Sequence, residues 1–183
     1  VRGEAMAAAP RVAGTCDTHM HVYGPADRFP CDRFEPEATY DDYSTLRRRL
    51  GIDRTVYVQA SAYGRDHACL LDALARHGAA ARAIAVVGTE AGMDDLALLD
   101  AAGVRGVRFF ELTPGCLPIS ELEPITRHIA PLGWHALVQV PGDDLPDLET
   151  RLAALPCPYV IDHLGRIPPI GGVDHPAFRC LMR

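Results

Sequence analysis

Three polar residues interrupt one short apolar run near the start of the chain. Asp17, His19 and His21 alternate with Cys16, Thr18, Met20 and Val22. Successive side chains of a strand point to opposite faces, so this spacing predicts all three on one side. Two imidazoles at i and i+2 then share one space, and burying both demands hydrogen-bond partners. Such a pair can stabilise a developing oxyanion or move a proton. Polar residues recur at the ends of later apolar runs. Gln59 and Ser61 close the run 55–61 on one face. Arg108 lies near the end of 104–110, with Arg105 on the opposite face. Gln139 ends 136–140, and His163 ends 159–164. A guanidinium at a strand end suits a carboxylate, which it binds through two parallel hydrogen bonds. Asp162, beside His163, is expected to face the helix layer and hold backbone. His67, His77, His128, His135 and His175 fall on helices, loops or strand starts, where solvation is the expectation. The acidic group Asp143, Asp144 and Asp147 reads as a helix N-terminus complementing the dipole, not as a metal site.

The elements that must position these residues follow one repeated pattern. Apolar or β-branched runs at 15–22, 55–61, 83–88, 104–110, 136–140 and 159–164 are bounded by Gly, Pro or polar residues, as short buried strands are. Helix-like segments at 40–50, 66–77, 93–102, 120–132 and 145–155 alternate with them. Ser120 and Glu123 predict a capping box. Gly51, Gly78, Gly103 and Gly133 stand where left-handed C-cap residues belong. Strand and helix in alternation predict an α/β fold with a parallel sheet. A doubly wound sheet and a (β/α)8 barrel both fit the pattern. No G-x-G-x-x-G follows the first strand and no Walker sequence occurs, which argues against nucleotide-binding folds. Chemistry in parallel α/β folds sits at the C-terminal ends of strands, where the polar residues above fall.

Composition bounds the rest. The chain has 183 residues, 48% hydrophobic and 23% charged, with a formal net charge of −6. That suits one globular domain with a real core and excludes a disordered chain. No apolar run reaches the roughly 18 residues of a membrane helix, and no clustered basic face suggests nucleic acid. The six cysteines contain no C-x-x-C pair, so zinc-ribbon and thioredoxin readings fail. Free thiols, mostly buried, in a reducing cytoplasm are the expectation. Residues 1–14 read as a flexible leader without a secretory apolar core, with Met6 a candidate start.

Five stretches together resemble a known family: 16–25 (CDTHMHVYGP), 58–61 (VQAS), 83–87 (AIAVV), 103–109 (GVRGVRF) and 160–166 (VIDHLGR). The combination is similar to the 2-pyrone-4,6-dicarboxylate lactonase group of the amidohydrolase superfamily, over about 15–183. The resemblance implies a distorted (β/α)8 TIM-barrel-like amidohydrolase fold and hydrolysis of a lactone C–O bond without a bound metal or other cofactor. By motif, His19, His21 and His163 take the roles of the histidines that hold and polarise the substrate carbonyl. Ser61 and Arg108 take those of carboxylate-binding residues. In that group an aspartate at the end of strand eight activates water. Three departures stand out. The family's second arginine falls on Pro114, its strand-five tyrosine is Gln139, and strands seven and eight do not occur in this chain. The first two point away from a flat dicarboxylate pyrone and towards a different, more hydroxylated lactone. Metal-dependent relatives add ligands from strands four and five, where this chain has Arg108 and Gln139. His19 and His21 alone make a poor zinc site, since three protein ligands are the norm.

The leading expectation is therefore hydrolysis of a carboxylated lactone, as in aromatic-compound catabolism, with a small-molecule substrate and no nucleic-acid or membrane partner. Oligomeric state is not legible. A sugar-acid lactone hydrolase or galactarolactone isomerase shares the scaffold and stays open. So does an inactive fragment or binding module, because six βα units are expected over 15–183 and a barrel of roughly 250 residues needs eight.

Overall fold

The computed structural model describes residues 12–31, 38–111 and 116–183. Residues 1–11 of the expected leader, Met6 among them, and Pro114 lie outside the described residues. Among the described residues six strands alternate with helices: β1 (Cys16–Met20), α1 (Tyr40–Leu50), β2 (Arg54–Val58), α2 (Ala68–His77), β3 (Ala81–Ala85), α3 (Met93–Ala102), β4 (Val104–Phe110), α4 (Leu122–Ile129), β5 (His135–Gln139), α5 (Leu145–Ala153), β6 (Tyr159–Ile161) and α6 (Pro176–Leu181). All neighbouring strands pair in parallel, in the order β1-β2-β3-β4-β5-β6. A doubly wound sheet would reverse direction at a switch point. Strictly sequential order is instead that of a TIM-barrel-like sheet, and its curl brings the ends of β1 and β6 to face each other.

Two apolar layers hold this arrangement. Between sheet and helices lies the main core, with Tyr57, Phe109, Leu96, Ile125, Ile129 and Trp134 fully buried. Inside the curl, Val58, Ile84 and Leu137 form a second cluster against Val56. Alternation along β4 sends Val107 and Phe109 into the outer core and Arg108 to the inner side. The strands thus carry an apolar floor, with polar residues one step nearer their C-terminal ends.

Local signals explain most boundaries. Thr39 and Asp42 form a capping box on α1, and Gly51 ends it in left-handed backbone at φ 70°. Gly103 ends α3 in the same region. The box expected at Ser120 does not form. Ser120 sits inside a 3-10 turn (Ile119–Glu121), so Glu121 occupies the N-cap position of α4. Glu123 is drawn away by Arg151, whose Nε lies 2.6 Å from its carboxylate. All six cysteines are free, three of them buried. Among the described residues no helix is long and apolar enough to cross a membrane.

Candidate active site

The first strand is irregular, and that decides where its polar residues go. The pairing of β1 with β2 shifts register between Asp17 and Met20. Strict alternation therefore fails, and Asp17 does not share a face with the histidines. Its Oδ2 accepts from the Tyr43 hydroxyl of α1 at 2.9 Å. Burial pushes the Tyr43 hydroxyl up to about 12. His19 instead turns towards β6, and His21 lies just beyond the strand. Their Nε2 atoms are 3.3 Å apart and their rings meet edge to face. His21 Nδ1 lies 2.8 Å from the Val58 carbonyl, which ends β2. Burial is the largest influence on His21, and with the Arg108 charge it pushes the ring down to about 4. His21 is therefore neutral near pH 7.

Asp162 is the residue the sequence misplaced. It does hold backbone, accepting from the His163 N–H at 3.0 Å. It does not face the helix layer, however, for the same Oδ1 lies 3.1 Å from His19 Nδ1. Oδ2 is buried with no hydrogen-bond partner among the described residues, and His163 Nε2 stands 3.6 Å away. Burial pushes the Asp162 carboxyl up. The His19 bond and the charges of His19, His163 and Arg108 outweigh it, so the net direction is down. The sequence carries one signal of this: an acid directly before a histidine at a strand end. Recognising it requires knowing that β6 curls round to β1.

His163 reaches the site by an unusual route. β6 stops at Ile161, and the backbone enters a turn in which His163, Leu164, Gly165 and Arg166 all have positive φ. Left-handed backbone costs a non-glycine residue about 1–2 kcal/mol. The turn lays the half-exposed His163 ring against His19, with centroids 4.9 Å apart.

Arg108 is 3% exposed. Its guanidinium donates to the Gln59 carbonyl at 3.1 Å and to Gln139 Oε1 at 3.4 Å, and stacks over Phe110 at 4.7 Å. Its Nε is buried without a hydrogen-bond partner among the described residues. Burial lowers its affinity for its proton, against the opposing influence of Cys116, Asp162 and Tyr23. Arg105, on the other face, pairs with Asp100 of α3 at 2.9 Å. Because Gln139 Oε1 accepts from Arg108, its amide nitrogen is left as a donor. Gln59 is spent on structure: its amide donates to the carbonyls of Gly64 and Asp66. Ser61 opens the 3-10 turn that leaves β2, so alternation no longer fixes its direction.

The structure thus brings His19, His21 and His163 into one cluster, in which His21 is within electrostatic reach of Arg108, and joins Gln139 to Arg108. Ser61 follows, by two residues, the carbonyl that Arg108 grips. The other histidines are not simply solvated. His67 bonds the Val86 carbonyl, His77 the Tyr57 hydroxyl and His128 the Ala91 carbonyl. His135 is half-buried in β5, and His175 Nδ1 caps α6.

A metal needs converging ligands. The described residues offer one three-residue group, His19, Asp162 and His163, with donor atoms within 4.8 Å of one another. It excludes His21. Asp162 Oδ1 is already engaged by His19 Nδ1 and the His163 N–H, and a buried guanidinium opposes a cation. The described residues therefore do not build a three-ligand site on the His19–His21 pair.

Comparison with known proteins gives the family. The family model described as Amidohydrolase matches residues 16–183. The chain belongs to the amidohydrolase family. Among its amidohydrolase relatives, a 2-pyrone-4,6-dicarboxylate hydrolase from Comamonas testosteroni is 38% identical, over 93% of this chain and 58% of its own length. A 4-sulfomuconolactone hydrolase from Hydrogenophaga intermedia is 31% identical, over 92% and 58%. A D-galactarolactone isomerase from Agrobacterium fabrum is 32% identical, over 93% and 60%. The ligand-free crystal structure of an Agrobacterium tumefaciens protein superposes with a TM-score of 0.82 at 30% identity, covering 94% of this chain and 62% of that one. The chain thus spans 58–60% of the length of these three curated relatives.

Proposed function

We propose that the protein opens a carboxylated lactone by attack of water on the ester carbonyl. The observation that carries this reading is the buried Arg108, whose Nε has no partner among the described residues, within electrostatic reach of His21 in the cluster of three histidines. Burying a guanidinium is costly unless its donors are used, and a carboxylate is the planar partner that fits them. Arg108 holds the substrate carboxylate and fixes where the ester lies. The histidine cluster supplies donors to the oxyanion that forms as water adds, each good donor being worth about 2.7–4 kcal/mol. His163 comes over this point from the left-handed turn. Ser61 and Gln139 complete the binding surface. Lactones are named for all three relatives above, which supports the substrate class. We propose that the reaction is metal-independent, since the pair His19 and His21 lacks a third ligand among the described residues. We further propose a cytoplasmic setting in the breakdown of aromatic compounds, consistent with six free thiols.

A second reading has its own support. Gln139, with its amide nitrogen turned away from Arg108, suits a hydroxyl of a sugar-acid lactone, and one relative is an isomerase of such a lactone. A panel of pyrone, muconolactone and aldarolactone substrates, followed by acid release and by NMR, separates hydrolysis from isomerisation. Loss of turnover on removing stoichiometric zinc would overturn the metal-free part. Equal effects of His163→Ala and His67→Ala on the rate would overturn the site.

A further inference from the structure

We infer that Asp162 is a positioning residue, which fixes the proton arrangement of His19 so that a single proton bridges His19 and His21. This rests on the lactone-opening reading and adds a residue that reading does not use.

The argument is one of donors and acceptors. A carbonyl oxygen only accepts, so the 2.8 Å contact with Val58 requires a hydrogen on His21 Nδ1. An ionised carboxylate also only accepts, so the 3.1 Å contact with Asp162 requires a hydrogen on His19 Nδ1. Both outward nitrogens are thereby committed. The two remaining Nε2 atoms face each other at 3.3 Å. Two lone pairs at that distance repel, and the contact becomes a bond only when one proton lies between them. The pair then carries one positive charge, which the buried Asp162 carboxylate balances. The groups facing the pair assign the proton to one side. Arg108 from β4 and the buried surroundings of His21 disfavour charge there, while Asp162, beyond β6, favours it on His19. Tyr23 stands on the His21 side, its ring centroid 6.3 Å away, and the half-exposed His163 stands on the His19 side.

Asp162 is held for this task by two contacts on one oxygen. Its Oδ1 accepts from the His163 backbone as well as from His19, so the left-handed turn that carries His163 also aims the carboxylate. When water adds to a lactone carbonyl, the charge on the oxygen gives His19 Nε2–H a stronger acceptor than neutral His21. The hydrogen bond passes from His21 to the oxyanion and the proton stays on His19, while the proton that the attacking water sheds goes to a base outside this pair, the role that the family resemblance gives to an aspartate of strand eight. Asp162 keeps that donor aimed and charged without touching the substrate.

The test uses the natural full-length protein carrying this sequence, with Asp162→Ala and Asp162→Asn. The asparagine keeps an acceptor at the Oδ1 position and lacks the charge. Long-range proton–nitrogen NMR, assigned with His19→Gln, reads where the ring protons of His19 sit without reference to activity. Both His19 nitrogens are expected to be protonated in the parent and Nδ1 to remain protonated in the asparagine variant. The alanine variant is expected to lose the Nδ1 proton. With a lactone that the parent opens, kcat should fall about 100-fold in the alanine variant, with partial rescue by asparagine and KM little changed. An unchanged His19 pattern in the alanine variant overturns the inference. So does a switched pattern with kcat intact, or stoichiometric divalent metal between the rings. If the parent opens no lactone while the NMR pattern switches as expected, the positioning stands and the lactone reading fails.

Discussion

Arg108→Met removes the group on which substrate anchoring rests, and its effects can be worked from the contacts. The side chain gives up bonds to the Gln59 carbonyl and to Gln139 Oε1, and its stack on Phe110. Each acceptor left unpaired costs about 1–3 kcal/mol, but relief from burying a cation offsets this. Folding stability is therefore expected to change little. Binding is different, because hydrogen bonds to charged groups contribute about 1.5–3 kcal/mol. On a carboxylated lactone kcat/KM should fall roughly 10- to 150-fold, most of it in KM. Arg108→Lys keeps the charge but loses the two-pronged geometry, and should recover only part. A second readout comes from His21, which the Arg108 charge helps to push down to about 4. Its NMR titration should move upward in Arg108→Met. Unchanged KM for the carboxylated substrate, with an unmoved His21 titration, would refute the placement of Arg108 beside the histidine pair.

Other outcomes follow from the same contacts. His21 is lowered in the folded state, so the unfolded chain takes up its proton first as pH falls. Stability is expected to drop between about 6.5 and about 4, by about 3 kcal/mol in all, and His21→Gln should flatten that limb of a denaturation-versus-pH curve. Leu164 is 82% exposed and sits at φ 52°, so Leu164→Gly should raise stability by roughly 1 kcal/mol in urea denaturation. A Cβ at Gly142 would stand 2.6 Å from the Arg166 carbonyl oxygen. Gly142→Ala should displace the turn carrying His163, costing about 1–3 kcal/mol of stability and lowering kcat.

How far the sequence led is clearest where local and distant forces differ. The ends of α1 and α3 were legible because caps and C-terminal glycines act within a few residues. The parallel α/β pattern was legible for the same reason, whereas barrel against doubly wound sheet required the family resemblance. His19, His21, His163, Arg108 and Gln139 stood out as polar residues at strand ends, and the curled sheet gathers the three histidines and joins Gln139 to Arg108. Ser120 misled because a tight turn, not an α-helical first turn, follows Pro118. Asp17 misled because an irregular pairing breaks the period of two. Asp162 was set on the wrong side because β6 ends one residue before it, and the left-handed turn that follows has no local sequence requirement beyond Gly165. Its partnership with His19 joins β1 to the turn after β6, a contact that only the assembled sheet creates.

The proposed function has water attack the ester carbonyl of a lactone held at Arg108 and the histidine cluster. The most direct measurement is mass spectrometry of the product formed in heavy-oxygen water. One heavy oxygen is expected in the new carboxylate, with its appearance strongly slowed in Arg108→Met. An unlabelled product formed at full rate would contradict it and assign the site to isomerisation.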